Sequence, residues 1–129
     1  MGEAGRILFI EDDESLRRIV ARHLRTLGFD VDEAVSAEEA EALLLGGNRP
    51  GVVILDLNLP GNTGWDLLRA PALAAAGSPP VIIASATTVS PRRLAEFGCA
   101  GFLPKPFALD TLVATLERAL HPEDETESR

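Results

Sequence analysis

Short apolar runs alternate with segments of helical periodicity five times along this chain. The run Val52-Val53-Ile54-Leu55 contains no polar residue, which is typical of a strand covered on both faces. Strands that alternate with helices pair in parallel, because each helix carries the chain back across the sheet. The pattern therefore predicts one α/β domain with a doubly wound, five-stranded parallel sheet. The predicted strands are residues 7–10, 29–34, 52–55, 80–84 and 100–103.

Five helices are predicted around these strands. Ser36 and Glu39 form a capping box at the start of the second helix. Pro71 predicts a kink or an early end in the third helix, because proline has no backbone N–H. Ser90 suits a helix start and Gly98 a helix end, so we expect a short fourth helix. The predicted helices lie between Asp13 and Gly28, between Ser36 and Gly46, over 65–76, between Ser90 and Gly98, and over 110–120.

Composition and charge restrict the class of protein. The chain has 129 residues, of which 46% are hydrophobic and 25% charged, as in an ordinary globular domain. Its net charge of -8 argues against nucleic-acid binding, which needs clustered Lys and Arg. Cys99 is the single cysteine, which excludes an internal disulfide and fits a reducing compartment. No apolar stretch approaches the ~20 residues of a membrane span.

These features predict a cytoplasmic protein that does not contact a membrane. The N-terminus carries an acid and no long apolar run, so it does not resemble a signal peptide. We expect residues 1–5 to be an N-terminal extension and residues 6–120 to be the domain. Residues 121–129 form an acidic tail that is predicted to be disordered, because it lacks the apolar residues of a packed core.

Polar side chains follow four of the predicted strands, at the edge where parallel strands end. Glu11 and Asp12 follow the first strand, Asp56 the third, Ser85 the fourth and Lys105 the fifth. Ligands bind in this crevice in open parallel sheets. Clustered carboxylates repel one another unless a cation lies between them, and oxygen ligands favour Mg²⁺ or Mn²⁺ over zinc. We therefore expect a divalent cation here.

The same residues indicate phosphoryl chemistry. A lysine and a hydroxyl, here Lys105 and Ser85, supply the positive charge and the hydrogen-bond donor that a phosphoryl group needs. Carboxylates form acyl-phosphate intermediates, which makes Asp56 the candidate nucleophile. The protein would mainly position groups and neutralise charge.

From Arg6 to Leu120 the chain resembles the receiver domains of bacterial two-component response regulators. Five separated features carry the resemblance in the right order: the acids after the first strand, Asp56 after the third, the pair Ser85-Ala86, the aromatic Phe102, and Lys105-Pro106-Phe107. The family implies a flavodoxin-like receiver fold, five parallel strands with five helices. It also implies a phosphoacceptor that catalyses only its own phosphorylation and dephosphorylation, and is not otherwise an enzyme.

The resemblance also implies roles for individual residues. Asp56 would accept a phosphoryl group from a phosphohistidine. The expected Mg²⁺ ligands are Asp12, Asp56 and the backbone carbonyl of Asn58, with Glu11 acting directly or through water. Lys105 would pair with a phosphoryl oxygen, and its bond to Pro106 would be cis.

The resemblance further implies a switch. Ser85 and the backbone N–H of Ala86 would bind another phosphoryl oxygen, and Phe102 would turn inward into space that Ser85 vacates. This movement would change the surface formed by the fourth helix, the fifth strand and the fifth helix. Asn58, Thr87 and Ala86 are predicted to modulate the hydrolysis rate.

The sequence departs from the common family pattern in four places. Ser85 stands where threonine is more usual, which keeps the hydroxyl. Phe102 stands where tyrosine is frequent, which keeps the packing and removes a hydroxyl. Pro104 precedes the lysine and stiffens its loop. The segment between Ser85 and Lys105 is shorter than usual, which again predicts a short or irregular fourth helix.

Two other functions compete with the phosphoacceptor hypothesis. A haloacid-dehalogenase-like phosphatase also places an aspartate after a buried strand, but it needs a second aspartate two residues later, where this chain has Asn58. A phosphorylation-independent interaction domain of the same fold would not need the acids, the hydroxyl and the lysine together. A nucleotide-binding fold is disfavoured because no Gly-rich loop follows the first strand.

The resemblance also implies the partners. The donor would be a sensor histidine kinase or a phosphotransfer protein. The output would be a downstream protein target or a C-terminal output domain beyond this sequence. We expect a monomer or a weak homodimer.

Overall fold

A computed structural model describes residues 3–59 and 64–121 of the chain. The strands are β1 (Glu3–Ile10), β2 (Asp30–Ala34), β3 (Pro50–Asp56), β4 (Val81–Ser85) and β5 (Gly101–Pro104). The helices are α1 (Glu14–Thr26), α2 (Ala37–Leu45), α3 (Gly64–Arg69), α4 (Pro71–Ala75), α5 (Pro91–Glu96) and α6 (Leu109–Leu120). Among these described helices, none combines the length and the hydropathy that crossing a membrane requires.

The five strands form one parallel sheet in the order β2-β1-β3-β4-β5, which confirms the predicted fold class. The edge position of β2 also agrees with its alternating sequence. The chain leaves β1 toward one side of the sheet and leaves β3 toward the other. A crevice opens at such a reversal, beyond the carboxyl ends of the two strands.

The hydrophobic core lies in two layers, one on each face of the sheet. Ile7 and Phe9 face α1 and α6, whereas Leu8 and Ile10 face the side of α2, α3 and α4. All four side chains are fully buried. This alternation follows from the two-residue repeat of a strand, and it explains why the runs 7–10 and 52–55 contain no polar residue.

The predicted third helix is two helices, so the structure contains six instead of five among its described residues. Ala70 separates α3 from α4 and is extended, with φ -71° and ψ 139°. The following proline causes this break, because its ring disfavours helical geometry at the preceding residue and it offers no N–H to α3. Pro71 is then the first residue of α4, where a missing N–H costs nothing.

Helix α5 is short, as predicted, and buries none of its residues. The Ser90 hydroxyl accepts a hydrogen bond from the backbone N–H of Arg93 at 3.1 Å, which begins the helix. At α2 the Ser36 hydroxyl caps the N–H of Glu39. The Glu39 carboxylate reaches back to the N–H of Val35, one residue earlier than a standard capping box.

Strand β1 begins at Glu3, within the segment 1–5 that the sequence predicts to be an extension. The pairing with β3 shifts between Glu3 and Ile7, and Gly5 has a φ of 89° there. Backbone pairing needs no apolar side chain, so a hydrophobicity pattern does not reveal these residues. The predicted acidic tail lies outside the described residues except for His121.

Candidate functional site

Three carboxylates meet at the crevice between β1 and β3. Glu11 and Asp12 follow β1, and Asp56 ends β3. Their candidate ligand oxygens all lie within 4.8 Å of one another. Glu11 and Asp56 are 1% and 2% exposed, whereas Asp12 is exposed. Pairing of Ile10 with Leu55 in adjacent strands places these acids side by side, so the group could hold a metal ion.

Lys105 extends into this acidic cluster from the loop after β5. Its Nζ lies 2.6 Å from Glu11 Oε1 and 3.3 Å from Asp56 Oδ2. The backbone N–H of Lys105 donates to the Ser85 carbonyl at 2.8 Å, which continues the pairing of β4 and β5 beyond the strands. The bond between Lys105 and Pro106 is cis, as the resemblance implies.

Glu11 has protein partners at both carboxylate oxygens. Oε1 accepts from Lys105, and Oε2 accepts from the backbone N–H of Asp13 at 3.1 Å. Asp13 itself caps α1 by accepting a hydrogen bond from Leu16. Glu11 was predicted to act as a metal ligand, directly or through water. The structure adds a second contact that the sequence did not reveal, a part-buried ion pair between residues 94 positions apart.

Burial and charge shift the pKa of both members of this ion pair. Burial raises the pKa of Glu11 above its ordinary 4.5, although the hydrogen bonds from Lys105 and Asp13 oppose it; the nearby Asp56 carboxylate raises it further. Burial lowers the pKa of Lys105, but its hydrogen bond to Glu11 and the charges of Glu11 and Asp56 outweigh burial. The pKa of Lys105 is therefore above its ordinary 10.5, and the ammonium is charged at neutral pH.

The remaining predicted polar residues surround the acidic cluster. The backbone N–H of Asn58 donates to Asp56 Oδ1 at 3.0 Å and fixes one carboxylate oxygen. The buried Ser85 hydroxyl lies 2.9 Å from the Thr87 hydroxyl and accepts from the Thr87 N–H at 3.0 Å. Ala86, between them, is exposed. The role of the Asn58 carbonyl as a metal ligand stays a prediction.

Phe102 lies on β5, one strand beyond Ser85. Its side chain is half-buried and packs against the core on the side of α2, α3 and α4. Its backbone position pairs with Ile83 on β4. Phe102 is thus placed in the sheet next to the strand that carries Ser85, and its inward turn stays a prediction.

A cavity beside the acidic cluster was not expected from the sequence. It has a volume of about 470 Å³ and is lined by Asn58, Trp65, Thr87 and Arg93, among others. Trp65, on α3, is half-buried. It stacks with Phe97 at 4.9 Å between ring centres, and Arg93 lies 4.7 Å above its ring. An aromatic residue in α3 and one at the end of α5 are too far apart in sequence to suggest this contact.

Comparison with known proteins agrees with the geometry. The sequence model of the response regulator receiver domain family matches residues 7–117. Response regulator MprA of Mycobacterium avium (strain 104) is 32% identical over 127 residues, which cover 95% of this chain and 55% of that protein. MprA of Mycobacterium tuberculosis is 33% identical over 129 residues, with the same shares. The chain thus spans about half the length of these curated relatives.

Solved structures give the same result. Chemotaxis protein CheY4 of Vibrio cholerae superposes with a TM-score of 0.80 at 31% identity, covering 89% of this chain and 98% of that one. The non-phosphorylated HemR receiver domain of Leptospira biflexa gives 0.78 at 35% identity, covering 89% and 93%. The fold and the family match agree. The chain belongs to the receiver domain family of two-component response regulators.

Proposed function

We propose that the chain is a phosphoacceptor module in which Asp56 receives a phosphoryl group from a phosphohistidine. One observation carries this proposal: a buried carboxylate lies 3.3 Å from a charged lysine, within a cluster of three acids. Such a site binds a phosphoryl group through charge and hydrogen bonds and leaves a nucleophile beside it. The phosphohistidine would belong to a sensor histidine kinase or a phosphotransfer protein.

The acidic cluster fits Mg²⁺, or Mn²⁺ in its place. Asp12 and Asp56 would hold the ion with the Asn58 carbonyl, and Glu11 would contribute directly or through water. All these ligands are oxygens, and the exposed side at Asp12 leaves room for the several waters that Mg²⁺ keeps. Bound there, the ion would neutralise phosphoryl oxygens and one carboxylate.

The transfer step requires no proton on Asp56. One Asp56 oxygen forms a bond to phosphorus while the bond from phosphorus to the imidazole nitrogen breaks, and the electron pair leaves on that nitrogen. The Asn58 N–H holds Oδ1 in place, so the carboxylate is already oriented. Lys105, charged at neutral pH, would exchange part of its contact with Glu11 for a phosphoryl oxygen.

The bound phosphoryl group would act as the switch signal. It adds a charge of about −2 to a small crevice. The Ser85 hydroxyl would exchange its Thr87 partner for a phosphoryl oxygen, joined by the N–H of Ala86. Movement of Ser85 along β4 would let Phe102 turn inward and change the surface formed by α5, β5 and α6. Asn58 and Thr87, at the edge of the site, would modulate dephosphorylation.

The output of the module would be a protein contact. The switching surface would meet a downstream target or an output domain beyond this sequence, since the relatives are about twice as long. The module would otherwise transform no substrate, and its own phosphorylation and dephosphorylation are its only reactions. We propose a monomer or a weak homodimer.

Intact-mass measurement tests the proposal. The protein is incubated with acetyl phosphate and Mg²⁺, and we expect a single added phosphoryl group. The group should not form when EDTA is present from the start. Asp56→Asn should give no adduct. Asp66→Asn, which removes an exposed acid on α3, should give the wild-type result. If the wild-type protein gains no phosphoryl group and binds no beryllofluoride, the chain is instead a phosphorylation-independent interaction domain.

A further inference from the structure

The cavity beside the acidic cluster is a continuation of the candidate site. Two of its lining residues touch that site: the Asn58 N–H donates to Asp56 at 3.0 Å, and the Thr87 hydroxyl lies 2.9 Å from Ser85. Trp65 of α3 and Arg93 of α5 also line the cavity. Its volume of about 470 Å³ lies within the roughly 300–1,000 Å³ of small-molecule sites. A small ligand that reaches Asp56 can therefore extend into this space.

Arg93 is exposed and contributes a positive charge to the cavity lining. Its guanidinium lies 4.7 Å above the Trp65 ring and 5.4 Å from the Phe97 ring centre. The ion pairs within residues 3–59 and 64–121 do not include Arg93. Stacking on aromatic faces holds a guanidinium while its N–H groups stay available to an anion. The charge is thus positioned by rings and not neutralised by a carboxylate.

We propose that this cavity receives the leaving group of a small acyl phosphate, and that Arg93 favours donors whose leaving group is an anion. The inference rests on the proposed role of Asp56 as acceptor. An Asp56 oxygen forms a bond to phosphorus as the bond from phosphorus to the acyl oxygen breaks. The electron pair leaves on a carboxylate, and no proton is needed. A guanidinium beside that carboxylate stabilises the charge that grows as the bond breaks.

Phosphoramidate is a phosphoryl donor whose leaving group is neutral instead of anionic. Its nitrogen is already protonated at neutral pH, so when the bond from phosphorus to nitrogen breaks, the electron pair stays on that nitrogen and neutral ammonia departs. Acetyl phosphate and phosphoramidate share the same acceptor, the same cation and the same lysine. The ratio of their two phosphorylation rates therefore reports the leaving-group contact separately from folding, metal binding or damage to Asp56.

The experiment measures both rates in Mg²⁺ by intact mass for wild type, Arg93→Gln, Arg93→Lys and Arg69→Gln. For Arg93→Gln we expect the acetyl phosphate rate to fall by about three- to fivefold, the effect of one exposed charge pair, with the phosphoramidate rate unchanged. Arg93→Lys, which keeps the charge and loses stacking, should retain part of the preference. Arg69→Gln is the matched control, because Arg69 lies 5.1 Å from the Phe97 ring centre but does not line the cavity.

Two outcomes overturn the proposal. One is an Arg93→Gln protein whose ratio of rates equals that of wild type, whether both rates fall together or neither changes. The other is an equal change of the ratio in Arg69→Gln, which would assign the effect to the aromatic cluster as a whole. Failure of both donors to phosphorylate the wild-type protein is a different result, because it contradicts the proposed function of Asp56.

Discussion

At the scale of single residues, the site depends on how Lys105 is shared between Glu11 and Asp56. Lys105 lies closer to Glu11 than to Asp56, at 2.6 Å against 3.3 Å. Its charge offsets the repulsion among the three acids when no cation is bound. A cation bound by the same acids competes with Lys105 for their negative charge, since both are positive. The interactions of Lys105 and of a bound cation with these acids are therefore coupled, and removing the Lys105 charge should strengthen cation binding.

Lys105→Ala should bind Mg²⁺ more tightly than wild type, by about tenfold, because a positive charge a few ångströms from the ion is removed. The same variant should respond poorly to phosphorylation, since a phosphoryl oxygen loses its partner. Titration of Trp65 fluorescence with Mg²⁺ measures the affinity, because Trp65 lines the adjoining cavity together with Asn58. Arg118→Ala on α6 is the control and should match wild type. Weaker Mg²⁺ binding by Lys105→Ala would contradict the coupling.

The sequence allowed the acceptor, the exposed acid and the lysine to be predicted, because each follows a recognisable strand. It did not reveal that Glu11 is the nearer partner of Lys105. Nor did it reveal the contact of Arg93 with Trp65. Both contacts depend on side-chain directions after long separations in sequence, and no local pattern contains that information.

At the scale of the secondary-structure elements, the packing of β5 against α6 depends on Gly101, which has no side chain. A Cβ at Gly101 would lie 2.9 Å from Thr115 Cγ2, closer than real Cβ contacts. Thr115 is 4% exposed, and its hydroxyl donates to the Thr111 carbonyl at 2.8 Å, so the side chain cannot simply turn away. This contact places the strand that leads into Lys105.

Gly101→Ala should therefore lower the free energy of unfolding by about 1–3 kcal/mol through overpacking. Thr115→Ser removes Cγ2 but keeps the hydroxyl, so the double variant should recover about 1 kcal/mol or more relative to the sum of the single changes. Urea denaturation of the four proteins measures this coupling. Additive effects would show that the close contact is not the cause.

The elements themselves were mostly predictable, and the exceptions have physical reasons. Pro71 indicated a kink or an early end, but only the structure shows that the chain resumes as a second helix. The start of β1 was missed because Glu3 and its neighbours pair through the backbone. The short α5 was predicted correctly from Ser90 and Gly98, since caps and stops are local features.

At the scale of the whole molecule, one core layer covers each face of the sheet, and the acidic cluster with Lys105 lies at the carboxyl end of the strands. The acidic cluster lies at the junction of β1 and β3, two strands that each have a neighbouring strand on both sides. A ligand that binds only the folded arrangement of these acids stabilises the entire domain. Metal binding should thus be visible in global unfolding.

Mg²⁺ should raise the free energy of unfolding of the wild-type protein by about 1.4 kcal/mol when its concentration is ten times the dissociation constant. Asp12→Asn should lose most of this gain, because one of the three acids no longer carries charge. Asp30→Asn, which removes an exposed acid on β2, is the control and should keep the full gain. Urea titrations with Mg²⁺ and with EDTA measure the difference. An equal gain in Asp12→Asn would place the ion elsewhere.

Chemical trapping of the phosphorylated carboxylate tests most directly whether Asp56 is the acceptor. Borohydride reduces an acyl phosphate to an alcohol, so a phosphorylated aspartate becomes homoserine while free carboxylates do not react. After treatment with acetyl phosphate and Mg²⁺, reduction and peptide mapping by mass spectrometry, we expect homoserine at position 56 and unchanged aspartate at position 12. Homoserine at position 12, or a phosphorylated protein with no homoserine at position 56, would contradict the assignment.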